Sequence, residues 1–281
     1  MSGSYWKQVV EDDFGVPSDR PLDDLTAELT RMLGSTDPQL RDGTAYPALA
    51  TWTDRGVYDD LLSGLGDGMA AGLTVGLGEQ ETDSVFRRSF SVLILGECMA
   101  RDNAAGLLPA TKILEWGDRV STWYLRERDL RGFVPGKGWA HAIAHGADAI
   151  AALANSPHLG TNELTVLLDV LGDRLTVPVE AVFTAGEPDR IAYATMAVLR
   201  RNLVPLRVIE PWIARLAAAA RGRAGGRDPF VVRGNPEAFL RALYLQLALA
   251  PRPPDVRSDL LLVLVDALKR TNPFFLTSQG D

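Results

Sequence analysis

The chain has 281 residues, 46% of them hydrophobic, enough to bury one large or two moderate apolar cores. Its net charge of −7 argues against non-specific nucleic-acid binding, which needs Lys and Arg to displace counterions from phosphates. The single cysteine, Cys98, excludes an internal disulfide and fits a reducing cytoplasm; the start lacks the basic-then-apolar pattern of a signal peptide, and no apolar run reaches bilayer length.

Apolar residues recur at helical spacing nearly throughout, and β-branched alternation is almost absent, so the predicted fold class is all-α. The acidic residues Glu11, Asp12 and Asp13 read as solvated charge. Asp23 and Asp24 suit the first turn of a helix starting near Leu22, where the helix dipole favours carboxylates. Further helices are expected from near Arg41, Tyr58, Ser84, Ala110, Gly138, Asn162, Asp189, Pro205, Pro236 and Val256. Asn162, Glu187-Pro188-Asp189 and Asn235-Pro236-Glu237 supply capping chemistry, the last being the clearest helix start.

From Ser84 onward the helices pair with a rhythm of roughly 45 to 55 residues, which points to a HEAT/armadillo-like α–α superhelix of stacked antiparallel helix pairs. An irregular bundle is the alternative that the same helices could build. The expected organisation is one helical-repeat domain over 1–281, with stacked pairs over 79–281 and looser helices over 1–78. In that first part Gly64, Gly66, Gly68, Gly72, Gly76 and Gly78 imply close helix packing or a broken helix.

All three histidines, His141, His145 and His158, fall within eighteen residues. At about 100° per residue, a helix from Gly138 would place His141, His145 and Asp148 in an arc of about 60°, with Lys137 on the same stripe. Trp139, Ile143, Ile150 and Leu153 would form the opposite, core face. The stripe is bordered by Ala140, Ala144, Ala149, Ala151 and Ala152 rather than long charged side chains, which implies cover on both sides or a groove wall. Two imidazoles four apart and a carboxylate three further on could hold a divalent metal with an open position for water. The same residues could instead do metal-free acid–base or anion-binding work, or form a structural hydrogen-bond network.

Upstream, Glu127 and Arg131 are spaced for an i,i+4 pair, and Asp129 and Lys137 join them around a short turn. Arg88, in the apolar helix that continues through the Val92–Met99 run holding Cys98, either snorkels to solvent or reaches Asp129, Asp148 or an anionic ligand.

The stretch Glu127-x-Asp129-Leu130-Arg131-Gly132, followed by Lys137-Gly138-Trp139-Ala140-His141, His145 and Asp148, resembles the hallmark of an uncharacterised bacterial family of helical proteins, classed only as a domain of unknown function. Leu40-Arg41-Asp42 with Tyr46, and Phe86-x-Arg88-Ser89-Phe90-Ser91, are similar to further elements of it. The resemblance covers roughly residues 20 to 250 and implies a HEAT- or armadillo-like superhelix; it carries no established activity.

Between Arg200 and Arg233 eight arginines face Glu210 and Asp228, a local +6. Its Gly-rich part, Arg221 to Asp228, reads as a solvated loop without aromatics for base stacking. No phosphate-binding loop, dinucleotide fingerprint, serine elbow or paired-cysteine zinc pattern occurs. Two functions follow. The first is a helical scaffold binding a peptide, protein or small polar ligand through Arg88, Glu127, Asp129, Arg131, Lys137, Trp139, His141, His145 and Asp148. The rival is a hydrolase in which His141, His145 and Asp148 hold a divalent metal or act as acid and base.

Overall fold

The computed structural model describes residues 2–222 and 225–276. Among them, helices dominate and the only sheet pairs two strands of two residues each, in agreement with the all-α expectation. The chain divides into two compact units, residues 1–149 and 150–281.

The first unit opens with α1 (Ser2–Glu11), α2 (Leu22–Met32) and α3 (Pro38–Leu40). A wide π-turn, Arg41–Ala45, leads into α4 (Tyr46–Asp54), and a 3₁₀ turn, Asp59–Leu61, into α5 (Leu62–Gly72). The long α6 (Ser84–Ala105) and α7 (Ala110–Arg126) follow; β1 (Phe133–Val134) and β2 (Gly138–Trp139) make a hairpin, and α8 (Ala142–Ala154) carries the division between the units. Helix α6 packs on α4 and α5, and α5 on α7. The indoles of Trp6, Trp52, Trp116 and Trp123 are buried with each N–H donated, to Glu28, the Phe14 carbonyl, Asp67 and Glu127 respectively. Large aromatics thus fill this core without leaving a donor unsatisfied.

Of the two readings of the glycine series, close packing holds at Gly66 and Gly72. A β-carbon on Gly66 would lie 2.1 Å from the Trp116 ring, and one on Gly72 2.2 Å from Ser91 Oγ. Cys98 is fully buried, and burial pushes its thiol pKa well up.

The second unit holds α9 (Thr161–Thr176), α10 (Glu187–Arg200), α11 (Leu206–Ala220), α12 (Pro229–Leu249), α13 (Arg257–Thr271) and α14 (Pro273–Leu276). Helix α12 packs on α10, α11 and α13, and α9 on α11. Two capping expectations are corrected. The first turn of α9 is closed by the Glu163 carboxylate accepting from Gly160 N at 2.9 Å, so the cap lies two residues before Asn162. Helix α12 starts at Pro229 under an Asp228 cap, so Pro236 lies inside it, while Asn235 uses its amide oxygen to accept from Phe183 N at 2.7 Å.

Part of the arginine surplus of this unit is used internally. Arg201 donates to the carbonyls of Ala154, Ser156 and Leu159, Arg200 to those of Pro251 and Arg252, and Arg215 pairs with Asp169 and Asp173. Arg223 and Ala224 of the Gly-rich loop lie outside the described residues. No helix among the described residues is long and apolar enough to cross a membrane.

Candidate functional site

Helix α7 ends at Arg126, and Glu127 turns to extended backbone, so the expected helical Glu127–Arg131 pair does not form. Glu127 folds back instead. Its Oε1 accepts from Arg128 N and Asp129 N, both at 2.9 Å, closing the turn that a helix would otherwise continue through. The same carboxylate takes a two-pronged approach from Arg88, Nε to Oε2 at 2.6 Å and Nη2 to Oε1 at 2.9 Å. Arg88 Nη1 donates to the carbonyls of Val75 and Gly76 and to Ser84 Oγ, and the whole side chain is 0% exposed. Arg88 therefore neither snorkels nor pairs with Asp129 or Asp148: its fork is committed to Glu127 and to the chain leaving α5.

Asp129 pairs with its neighbour Arg131 through Nε at 2.8 Å and Nη2 at 2.6 Å, and Arg131 Nη2 reaches on to the Thr82 carbonyl at 2.7 Å. The acidic partner holds the Arg131 guanidinium pKa up. Lys137 donates to both oxygens of Asp83, at 2.6 and 2.8 Å. The charges on this side of the site are thus paired with one another, and they brace a hairpin.

That hairpin is the main departure from expectation. Gly136 and Gly138 adopt φ of +76° and +79°, which other residues rarely tolerate, so the expected short turn reverses the chain into a strand where a helix from Gly138 was anticipated. Phe133 pairs with Trp139 and Val134 with Gly138. The pairing continues beyond the strands as Ala140 N donates to Gly132 O and His141 N to Arg131 O. Helix α8 begins only at Ala142, with the His141 carbonyl accepting its first bond from His145 N at 2.9 Å. Lys137, Trp139 and His141 consequently do not share a helical stripe with His145 and Asp148. Trp139, expected on the core face with Ile143, Ile150 and Leu153, is 43% exposed, whereas those three are buried.

The hairpin nevertheless delivers an aromatic series from surface to interior. Phe133 meets Trp139 edge to face at 5.2 Å, and Trp139 stacks on His141 at 4.4 Å with 20° between planes. His141 stands 5.7 Å from His145, and His145 meets Phe90 edge-on at 5.1 Å. His141 is held in the left-handed region, φ +53°, an uncommon conformation for a side-chain-bearing residue. His145 is 8% exposed, and its Nδ1 lies 2.8 Å from Ser89 Oγ. The Ser89 hydroxyl proton goes to the Ala140 carbonyl, which leaves the Ser89 oxygen to accept from His145 Nδ1–H. Ser89 is itself fully buried, with its hydroxyl held between the Ala140 carbonyl and His145.

Two small-residue contacts seat α8. A β-carbon on Gly146 would meet the Tyr124 ring at 2.4 Å, and one on Gly96 would lie 3.2 Å from the Ala149 backbone. The alanines flanking the histidines, Ala140, Ala144, Ala149 and Ala151, are buried. Among the described residues no three His, Cys, Asp or Glu side chains come together so as to hold a metal ion. His141 precedes the helix that carries His145 and Asp148, so the three do not lie on one helical face.

Residues not singled out for chemistry also enter the site. Glu97 accepts from Tyr46 OH at 3.0 Å, and the Tyr46 ring packs against Phe90 at 6.3 Å. Burial raises the Glu97 pKa, as do the Asp54 and Asp148 carboxylates, while the Tyr46 bond lowers it. A carboxylate within the apolar run Val92–Met99 was the available signal. The π-turn residue Arg41 donates to the Lys137 carbonyl beneath the hairpin at 2.7 Å. Thus Arg41 and Tyr46, Arg88 to Phe90, and Glu127 to Asp148, far apart in sequence, converge.

An all-α protein with a hairpin-borne aromatic and histidine cluster, braced by paired buried charges, is the class these features define. The chain belongs to the family DUF2785, described as a protein of unknown function, whose model matches residues 73–245. No curated protein and no solved structure matches it.

Proposed function

We propose that this protein is a binding scaffold that captures a small polar ligand, or a polar group of a peptide or protein, on the Trp139–His141 stack. The observation that carries the reading is the half-exposed indole lying flat on a histidine held in left-handed backbone. Such conformations cost energy and persist where the surrounding structure enforces them, often at ligand sites. Arg88, Glu127, Asp129, Arg131 and Lys137 act in this reading as the frame, since each spends its charge on a protein partner. A HEAT/armadillo-like stacking of helix pairs presenting the site in a groove, and residence in the cytoplasm, belong to the same proposal. Nucleic acid is the disfavoured partner, given the net charge of −7 and the internal use of Arg200, Arg201 and Arg215.

The test is saturation-transfer NMR with a panel of N-acetyl amino-acid amides and short charged peptides. Compounds contacting the parent protein should lose their signal in Trp139→Ala and His141→Ala while helicity by circular dichroism is retained. Contacts that survive both replacements would overturn the proposal.

A second reading, a histidine-based acid–base hydrolase, is favoured by one observation: the Ser89 hydroxyl fixes the orientation of the His145 ring through Nδ1. Turnover of a chromogenic ester or amide by the parent, lost in His145→Gln, would favour it over simple capture.

A further inference from the structure

The hairpin that carries Trp139 is fixed at its outer ends by Lys137 to Asp83 and by Arg131 to Thr82. A third contact lies beneath it. Arg41 is fully buried, and its guanidinium donates to the Ser35 carbonyl through Nη1 at 2.7 Å and to the Lys137 carbonyl through Nη2 at 2.7 Å. Asp42 accepts from its Nε and Nη2 at 2.8 and 3.1 Å. Its Cζ also lies 4.2 Å from the Phe86 ring centre and 5.0 Å from that of Phe90, the ring that His145 meets edge-on. One guanidinium thereby touches both the hairpin, two residues before Trp139, and the aromatic floor under His145.

Two local features tighten this link. Gly138 has no side chain where a β-carbon would come 3.0 Å from Arg41 Nη2 and 3.1 Å from Pro38, so the hairpin backbone rests directly on the N-terminal segment. The π-turn Arg41–Ala45, closed by Tyr46 N donating to the Arg41 carbonyl, inserts an extra residue in the helical path. That insertion lets Arg41 face the hairpin while Tyr46, five positions on, faces Glu97. Wide turns of this kind recur at functional sites.

We propose that Arg41 is the positioning residue of the candidate site: it sets the height and tilt of the Trp139–His141 stack from a segment that lies before the residues matched by the family model. The assignment rests on the reading of that stack as the binding surface, but the arrangement it describes can be tested without a ligand. Lysine at this position keeps the charge yet cannot serve Ser35, Lys137 and Asp42 at once from one planar fork.

In the full-length protein, Arg41→Lys should shift the Trp139 indole N–H and the His141 ring resonances away from their stacked positions, as the mutual ring-current displacement is lost. The methyl signals of Leu25 and Leu29, buried in α2, should stay in place. Asp42→Asn and Gly138→Ala disturb the same junction from its other two sides and should move the same resonances in the same sense; they carry the test if Arg41→Lys does not fold. Compounds found by the saturation-transfer panel should bind Arg41→Lys about tenfold more weakly. A Trp139–His141 stack unmoved in the variants that fold would overturn the positioning role while leaving the binding site intact. A displaced stack with unchanged binding of the panel compounds would uphold Arg41 as the positioning residue and overturn the binding surface instead.

Discussion

Arg88 and Glu127, 39 positions apart, meet through two N–H···O bonds with both side chains entirely withdrawn from solvent. The pair joins α6 to the turn after α7 and sets where the hairpin leaves the helical core. Removing one member leaves the other as an uncompensated buried charge, so Glu127→Ala should cost about 3–5 kcal/mol. The double replacement Arg88→Met with Glu127→Leu should be less damaging than Glu127→Ala alone, since no charge is then stranded. Urea denaturation followed by circular dichroism measures both; equal losses for the single and double variants would contradict this account.

Ser89 sits at the junction of the hairpin and α8, donating to the Ala140 carbonyl and accepting from His145 Nδ1. In Ser89→Ala both groups lose a buried partner, at a cost of about 1–3 kcal/mol. The stronger check is the ring itself. Nitrogen-15 NMR of the parent should show neutral His145 protonated at Nδ1, and Ser89→Ala should release that preference. A parent His145 protonated at Nε2 would contradict the assignment.

Much of the helical framework was legible in the sequence because apolar spacing and terminal signals agree there: helices begin at Leu22, Ser84 and Ala110 as read. The candidate site is legible in the sequence as a cluster but not as a geometry. Helical spacing through Lys137 to Asp148 crosses Gly138, whose positive φ belongs to a hairpin. That single misplaced start put Trp139 inside and His141 on the helix. Partners were harder still, since Arg88 could meet any carboxylate in reach. Only the early end of α7 turns Glu127 toward it, and no local pattern announces that end. Arg41 and Tyr46 were visible as part of a resemblance, yet their contacts with Lys137 and Glu97 span chain separations of 96 and 51 residues.

Glu97 gives a prediction with a definite sign. Burial raises its folded-state pKa above the ordinary value of 4.5, and Asp54 and Asp148 add to the rise. For an acid shifted in this direction, the folded state holds the extra proton. The stabilising contribution is therefore complete below pH 4.5 and is lost as pH climbs through the raised folded value. Glu97→Gln should accordingly gain in Tm relative to the parent as pH rises from acid to neutral. Tyr46→Phe, which removes a bond favouring the carboxylate, should steepen the parent's loss. Thermal melts across that range decide the matter, and a Glu97→Gln advantage that shrinks with rising pH would reverse the sign.

His141 separates stability from function most cleanly. Its φ of +53° lies where a β-carbon is crowded, a cost of about 1–2 kcal/mol that glycine escapes. The imidazole repays part of that cost by stacking on Trp139, an interaction worth about 0.5–1.5 kcal/mol. His141→Ala loses the stack and keeps the crowding; His141→Gly loses the stack and relieves the crowding. The glycine variant should therefore be more stable than the alanine variant by about 1 kcal/mol and close to the parent. Both should fail equally to capture panel compounds, because neither offers a ring beneath the indole. If the histidine were present only for packing, ligand capture would follow stability and return in the glycine variant. Capture lost in both, with melting temperatures ordered glycine above alanine, would mean that the conformation is retained for what the ring does at the surface.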